Sequence, residues 1–167
     1  MAYRFALVGL VAFALASGQP ANRLDAAIPL PKKIEEEPKK DPIKATLAKL
    51  QGAWYSLGTQ QNGQARDPED PMNIHIITGA TFAWKINGEI VQRGNVKIVE
   101  VKGNLVKIDM HNTEGISQGD TFMVLCEVNG DRITWCGCNQ STGLPRPTAV
   151  QTAPGDGYWL RMLKREK

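Results

Sequence analysis

A chain of 167 residues with 42% apolar side chains is long enough for one domain with a sizeable core plus short extensions. Its 20 basic and 17 acidic side chains leave a formal charge of +3. They are well mixed, and no stretch interleaves dense Lys/Arg with aromatics, which excludes a nucleic-acid-binding surface of the usual kind.

Residues 1–18 read as an export signal. Arg4 supplies the positive n-region, and Phe5 to Ala16 form an apolar run too short to span a bilayer. Cleavage is expected after Ala16 (Ala14-Leu15-Ala16) or Gly18 (Ala16-Ser17-Gly18). The expected localisation is periplasmic or secreted, with no transmembrane segment in the mature chain. No cysteine lies near the cleavage point, which disfavours a lipid anchor. Residues 19–40 carry Pro20, Pro29, Pro31 and Pro38 among charge runs such as Lys32-Lys33 and Glu35-Glu36-Glu37. Proline and clustered charge resist compaction and predict a semi-extended linker. The folded domain is expected over 41–167.

Asp41-Pro42 is a helix start: Asp caps free N–H groups, and Pro at the first position gives up an N–H that would be unpaired anyway. Ile43, Leu47 and Leu50 continue the stripe to about Gln51. Gly52 suits a backbone turning out of the helix. Trp54 then offers a large apolar body to plug one end of a barrel, with an indole N–H that needs a partner.

Short extended runs follow, predicted at about 53–60, 73–78, 81–86, 89–93, 95–101, 104–110, 121–128, 131–137 and 157–165, with 61–72 and 139–156 as loops. Asn87-Gly88, Gly103-Asn104 and Asn129-Gly130 are hairpin dipeptides. A two-residue turn at Asn129-Gly130 pairs Val128 with Asp131, Cys126 with Ile133 and Val124 with Trp135. It leaves Cys136 and Cys138 on the other face, so Cys126 bridges to neither without a bulge. Three cysteines leave at least one thiol free or paired between molecules in an oxidising compartment. Period-two alternation, regular turns and meander order predict an all-β fold: an antiparallel up-and-down β-barrel of about eight strands with one short N-terminal helix.

No nucleophile–base set is evident, and the glycines sit in hairpins instead of a phosphate loop. His75 alternates away from Ile74 and Ile76 and is expected to face solvent. Asp109 and His111 with a cysteine lack the paired spacing of a zinc site. Cys136-Gly137-Cys138 has no helix N-terminus to activate a thiol and reads as structural. Glu100 keeps the parity of Val96 and Ile98 and reads as a strand end or a bulge neighbour. The expectation is a protein that is not an enzyme, with no catalytic residue, no metal and no cofactor.

Leu50-Gln51-Gly52-Ala53-Trp54, Asn62-Gly63, Lys107-Ile108-Asp109, Cys126-Glu127-Val128-Asn129-Gly130-Asp131 running to Cys136, Arg146-Pro147 and Leu163-Lys164-Arg165 resemble, in order and spacing, the lipocalin-like domain of planctomycete bacteria. The resemblance covers about residues 45–167. It implies a calycin-like barrel in an exported bacterial protein and carries no established activity. In the wider lipocalins the Gly-x-Trp tryptophan closes the barrel floor against a basic residue from near the chain's end, which implies that role for Arg161 or Arg165 here. Cys138 and the Leu144-Pro145 loop are departures from the pattern.

An eight-stranded barrel holds one small ligand or is filled by its own side chains. The lining candidates are Trp54, Phe82, Trp84, Ile98, Met110, Phe122 and Trp135. Two readings follow: a module binding a small hydrophobic or amphipathic ligand, or a structural or protein-interaction domain of the cell envelope, partnered by an envelope protein, with a filled barrel. A pocket of about 300 Å3 or more separates the first from the second.

Overall fold

The structure is a computed structural model that describes residues 41–68 and 73–166. The signal and linker readings for 1–40 lie outside the described residues. Helix α1 (Pro42–Leu50) begins where Asp41 accepts from the Ile43 N–H at 2.9 Å and the Lys44 N–H at 3.4 Å. It ends as Gly52, at φ 109°, turns the chain into β1 (Gly52–Gln61). The remaining strands are β2 (Gln64–Pro68), β3 (Asn73–Thr78), β4 (Thr81–Ile86), β5 (Glu89–Lys102), β6 (Leu105–Gly115), β7 (Thr121–Asn129), β8 (Arg132–Asn139) and β9 (Trp159–Arg165).

From β3 onward each strand pairs antiparallel with the next, and β9 returns to β1, which closes the sheet. Along its other edge β1 meets β3 over Gly52–Tyr55 and β2 over Gly58–Gln61. β2 and β3 therefore share one stave, and the result is an eight-stranded, closed up-and-down barrel. No helix among the described residues is long and apolar enough to cross a membrane.

Three sequence expectations are corrected. The span 61–72 is not all loop, because β2 forms a hairpin with β1 over Asn62-Gly63, at φ 53° and 74°. Its Gln-Ala-Arg-Asp-Pro sequence lacks apolar alternation, and the turn supplies the pairing instead. The predicted strands 89–93 and 95–101 are one strand, β5. Gly94 lies where β6 and the Phe82 ring approach so closely that a Cβ would overlap the His111 carbonyl oxygen. The β7–β8 turn is Gly130-Asp131, not Asn129-Gly130. Asn129 pairs with Arg132, Val128 with Ile133, Cys126 with Trp135 and Val124 with Gly137. Gly130 takes φ 62° as the first turn residue, the place where glycine is favoured in a II′ turn. The slip is two residues, so the side chains keep their faces. Glu100 does flank a bulge: Ile98 pairs with Ile108 and Glu100 with Lys107, leaving Val99 extra.

The end next to α1 is packed solid. Leu50, Trp54, Val106, Ile108, Val124, Cys126, Ile133 and Leu163 are all essentially inaccessible. Each such side chain contributes about 1.5–3 kcal/mol by leaving water. The Trp54 indole donates to the Leu50 carbonyl at 2.9 Å. Arg165 lies over the Trp54 ring at 4.1 Å and donates to the Gln51 and Lys49 carbonyls. Of the two basic residues suggested for the floor, Arg165 fills it, and the chain end, the helix end and the plug form one assembly.

Candidate functional site

The opposite end, where the β4–β5 turn and the β6–β7 and β8–β9 loops gather, is hollow. A cavity of about 380 Å3 opens there. Its apolar wall comes from inward positions on β4, β6, β7, β8 and β9: Phe82, Trp84, Met110, Phe122, Trp135 and Trp159. Gln61, Gln92, Ser117, Asn139, Thr142 and Gly157 add polar groups, and His75 and Arg161 complete the lining. The hollow depends on two glycines that face inward. Gly94 leaves room for the Phe82 ring, and the Trp159 indole lies where a side chain at Gly137 would stand.

Five of the seven lining candidates, Phe82, Trp84, Met110, Phe122 and Trp135, surround this cavity. Trp54 and Ile98 also face inward, but they are buried without lining the cavity. Period-two alternation finds the inner face and carries no information on which part of it is filled.

His75 is corrected: it faces the barrel interior and is buried, 4% exposed. The run Ile74-His75-Ile76-Ile77 is apolar on both faces, so its parity does not identify the inner one. Ile77, 2% exposed, shares the inner face with His75. The His75 ring stacks on Trp84 at 5.6 Å and 14° and meets Trp135 edge-on at 5.1 Å and 70°. Trp84 is itself oriented by its indole N–H, which donates to Asn73 Oδ1.

Arg161 is the centre of this cluster and had no place in it from sequence. On β9, the residues Trp159, Arg161 and Leu163 face inward, set by the pairs Gln61↔Trp159, Thr59↔Arg161 and Ser56↔Leu163. The guanidinium carbon lies 4.6 Å from the Trp84 ring centre and 6.0 Å from that of Trp159. Arg161 Nη1 is 2.8 Å from His75 Nε2. An arginine has only donors, so His75 accepts through Nε2 and carries its proton on Nδ1. Burial, and then the Arg161 charge, hold the His75 pKa well below the usual imidazole range. Burial lowers that of Arg161 to about 10, which leaves it charged at neutral pH. As a residue Arg161 is half-buried, and it is one of the residues lining the cavity. Its Nε is enclosed and has no hydrogen-bond partner among the described residues.

A second polar chain reaches the cavity from β5. Asn112 Nδ2 donates to the Asp120 carbonyl at 3.0 Å, which fixes the direction of its amide. Its Oδ1 accepts from Gln92 Nε2, so Gln92 Oε1 is the end left without a donor. The Trp135 N–H has only the Cys126 sulfur, a weak acceptor, beside it.

The groups weighed for a metal or thiol site stand apart from this cavity. Asp109 is paired with Arg146, and His111 Nδ1 lies 3.1 Å from Thr121 Oγ1, both on the outer face. Cys126 points inward and is in the packed core. Cys136 and Cys138 are buried on the outer face beneath the segment between β8 and β9, where Cys136 donates to the Gln151 carbonyl at 3.1 Å and Cys138 to that of Pro145 at 3.4 Å. The three thiols are free.

No protein-family model matches this chain, and it has no significant match among curated proteins or solved structures.

Proposed function

We propose that this barrel is a binding module that takes one small amphipathic molecule into its open half. The observation that carries the reading is the division of the interior: one end is packed solid, and the other keeps about 380 Å3 lined by aromatic rings and a few polar groups. That is the usual make-up of a ligand pocket, and it exceeds the roughly 300 Å3 at which such pockets begin. A purely structural barrel needs no hollow. Leaving five large aromatic side chains around empty space forgoes packing that a filled core would have. The reading assigns no catalytic step. Export is part of it and rests on Arg4 and the apolar run that follows. Kinship with the planctomycete lipocalin-like domain is also part of it, resting on the motif order from Leu50 to Arg165 and supported by the closed up-and-down barrel.

The test is titration of the full chain with N-phenyl-1-naphthylamine, an uncharged probe that brightens in apolar surroundings. Saturable binding of one probe per chain is expected, accompanied by quenching of tryptophan emission and weakened at least fivefold in Trp84→Ala. A folded protein that binds no probe, and that emerges from its own cells as a bare polypeptide in native mass spectrometry, would overturn the reading in favour of a structural domain.

A further inference from the structure

The cavity holds a charge with no counter-charge among the described residues that line it. Of these, Arg161 is the one ionised side chain, and none is a carboxylate. The three ion pairs of the described residues, Arg93–Glu114, Glu100–Lys107 and Asp109–Arg146, all lie on the outer face of the barrel. A guanidinium drawn partly out of water without a counter-charge is costly, and aromatic faces and one neutral imidazole offset that cost only in part. Even so, the group is held firmly. The Trp84 ring centre stands 4.6 Å from it, Trp159 flanks it at 6.0 Å and His75 takes one of its protons, while the enclosed Nε has no partner among the described residues. A fixed guanidinium on the wall of an apolar cavity is an arrangement for an anion, which can accept a charge-assisted hydrogen bond there.

We propose that Arg161 binds the head group of the ligand, and that the ligand is an amphipathic monocarboxylate whose apolar body lies among Trp84, Met110, Phe122 and Trp159. A single cation favours a single negative charge. A phosphate dianion here would keep an uncompensated charge, because the described lining residues offer no second cation. The inference rests on the binding reading above and narrows it to one chemical class.

Decanoate, decanol and decyltrimethylammonium share one chain length and differ in head charge. Each is used to displace N-phenyl-1-naphthylamine from the full chain. Decanoate is expected to bind at least tenfold more tightly than decanol, with the cation weakest. In Arg161→Met, which nearly keeps the side-chain volume and removes the charge, the acid's advantage over the alcohol, read by direct calorimetric titration with each, falls to about onefold; Arg161→Lys restores part of it. Equal affinities of the acid and the alcohol for a wild-type chain that binds the probe overturn the proposal and leave the binding module standing. A wild-type chain that binds neither the probe nor any of the three overturns both. Should Arg161→Met fail to fold, the wild-type comparison of the three heads decides alone.

Discussion

Arg161 and His75 reach each other from β9 and β3, two strands on opposite sides of β1, with Nη1 2.8 Å from Nε2. The contact makes each residue the condition of the other's state. A charged guanidinium keeps the imidazole neutral, and a neutral imidazole is the acceptor that the guanidinium needs. Together with Trp84 and Trp135 they form the polar boundary between the packed half of the barrel and the hollow half.

That pairing predicts an acid-sensitive fold. In the unfolded chain His75 takes a proton as pH drops below about 6.5, while in the folded chain burial and Arg161 oppose it. The unfolded state then binds more protons than the native one, so stability falls as pH falls from about 6.5 toward the depressed native value and levels off below it. The slope is at most about 1.4 kcal/mol per pH unit. Urea unfolding at pH 7.5, 6.5 and 5.5 should show the loss in the wild type and a flatter dependence in His75→Gln. Parallel pH dependences would show that the imidazole does not titrate as described.

The floor assembly predicts a large effect from one half-buried residue. Arg165 covers Trp54 and satisfies two carbonyls, Gln51 and Lys49, at the end of α1. Hydrogen bonds from a charged donor are worth about 1.5–3 kcal/mol, and the ring contact adds up to about 1 kcal/mol. Arg165→Ala should therefore lower unfolding stability by about 2–4 kcal/mol in urea. Arg165→Lys should recover less than half, because an ammonium cannot spread over the indole and reach two acceptors in one plane. A loss below about 0.5 kcal/mol would mean that the helix holds without it.

Gly94 should be one of the least replaceable glycines of the barrel. Its φ is ordinary, so the constraint is space: a methyl group would overlap the His111 carbonyl oxygen and the Phe82 ring. Backbone cannot move aside cheaply, and Gly94→Ala should cost 3 kcal/mol or more, on the order of the largest overpacking penalties. Gly79→Ala meets nothing within 4 Å and bears only the strain of φ 58°, roughly 1–2 kcal/mol. Thermal unfolding of the two variants should rank them in that order, and the reverse ranking would contradict the close approach of β5 and β6.

How much of this was legible follows from what alternation can carry. Asp41-Pro42, Gly52-x-Trp54 and the Asn-Gly and Gly-Asn dipeptides are local signals, and the helix, the plug and most hairpins follow from them. Phe82, Trp84, Met110, Phe122 and Trp135 alternate with more polar neighbours, so their inward direction could be read. His75 and Arg161 could not, for a common reason. On β3 both faces are apolar, and on β9 the outward Leu160 is buried beneath the β8–β9 segment while the inward position holds an arginine. A covered outer face makes parity silent, and the polar centre of the cavity stands on the two strands where it is silent.

The same covered face governs the cysteines. Burial pushes the Cys136 thiol up to about 11 and raises Cys138, against the pull of the nearby Arg146 charge; Cys126, deep in the core, is raised furthest. A thiol reacts as thiolate, so labelling by iodoacetamide at pH 7.5 should be slow for all three in the native protein and fast in 6 M guanidinium (about the concentration that unfolds even hyperstable domains). The segment over Cys136 and Cys138 is fastened by Arg146, which donates to the Ile108 carbonyl at 2.7 Å and the Val124 carbonyl at 2.8 Å and pairs with Asp109. Arg146→Ala releases all three ties and should speed labelling of Cys138 and Cys136 at least tenfold while leaving Cys126 protected, since the core beneath does not depend on that segment. Equal acceleration at all three sites would show global unfolding in place of a lifted cover, and no acceleration would show that Arg146 does not hold the segment down.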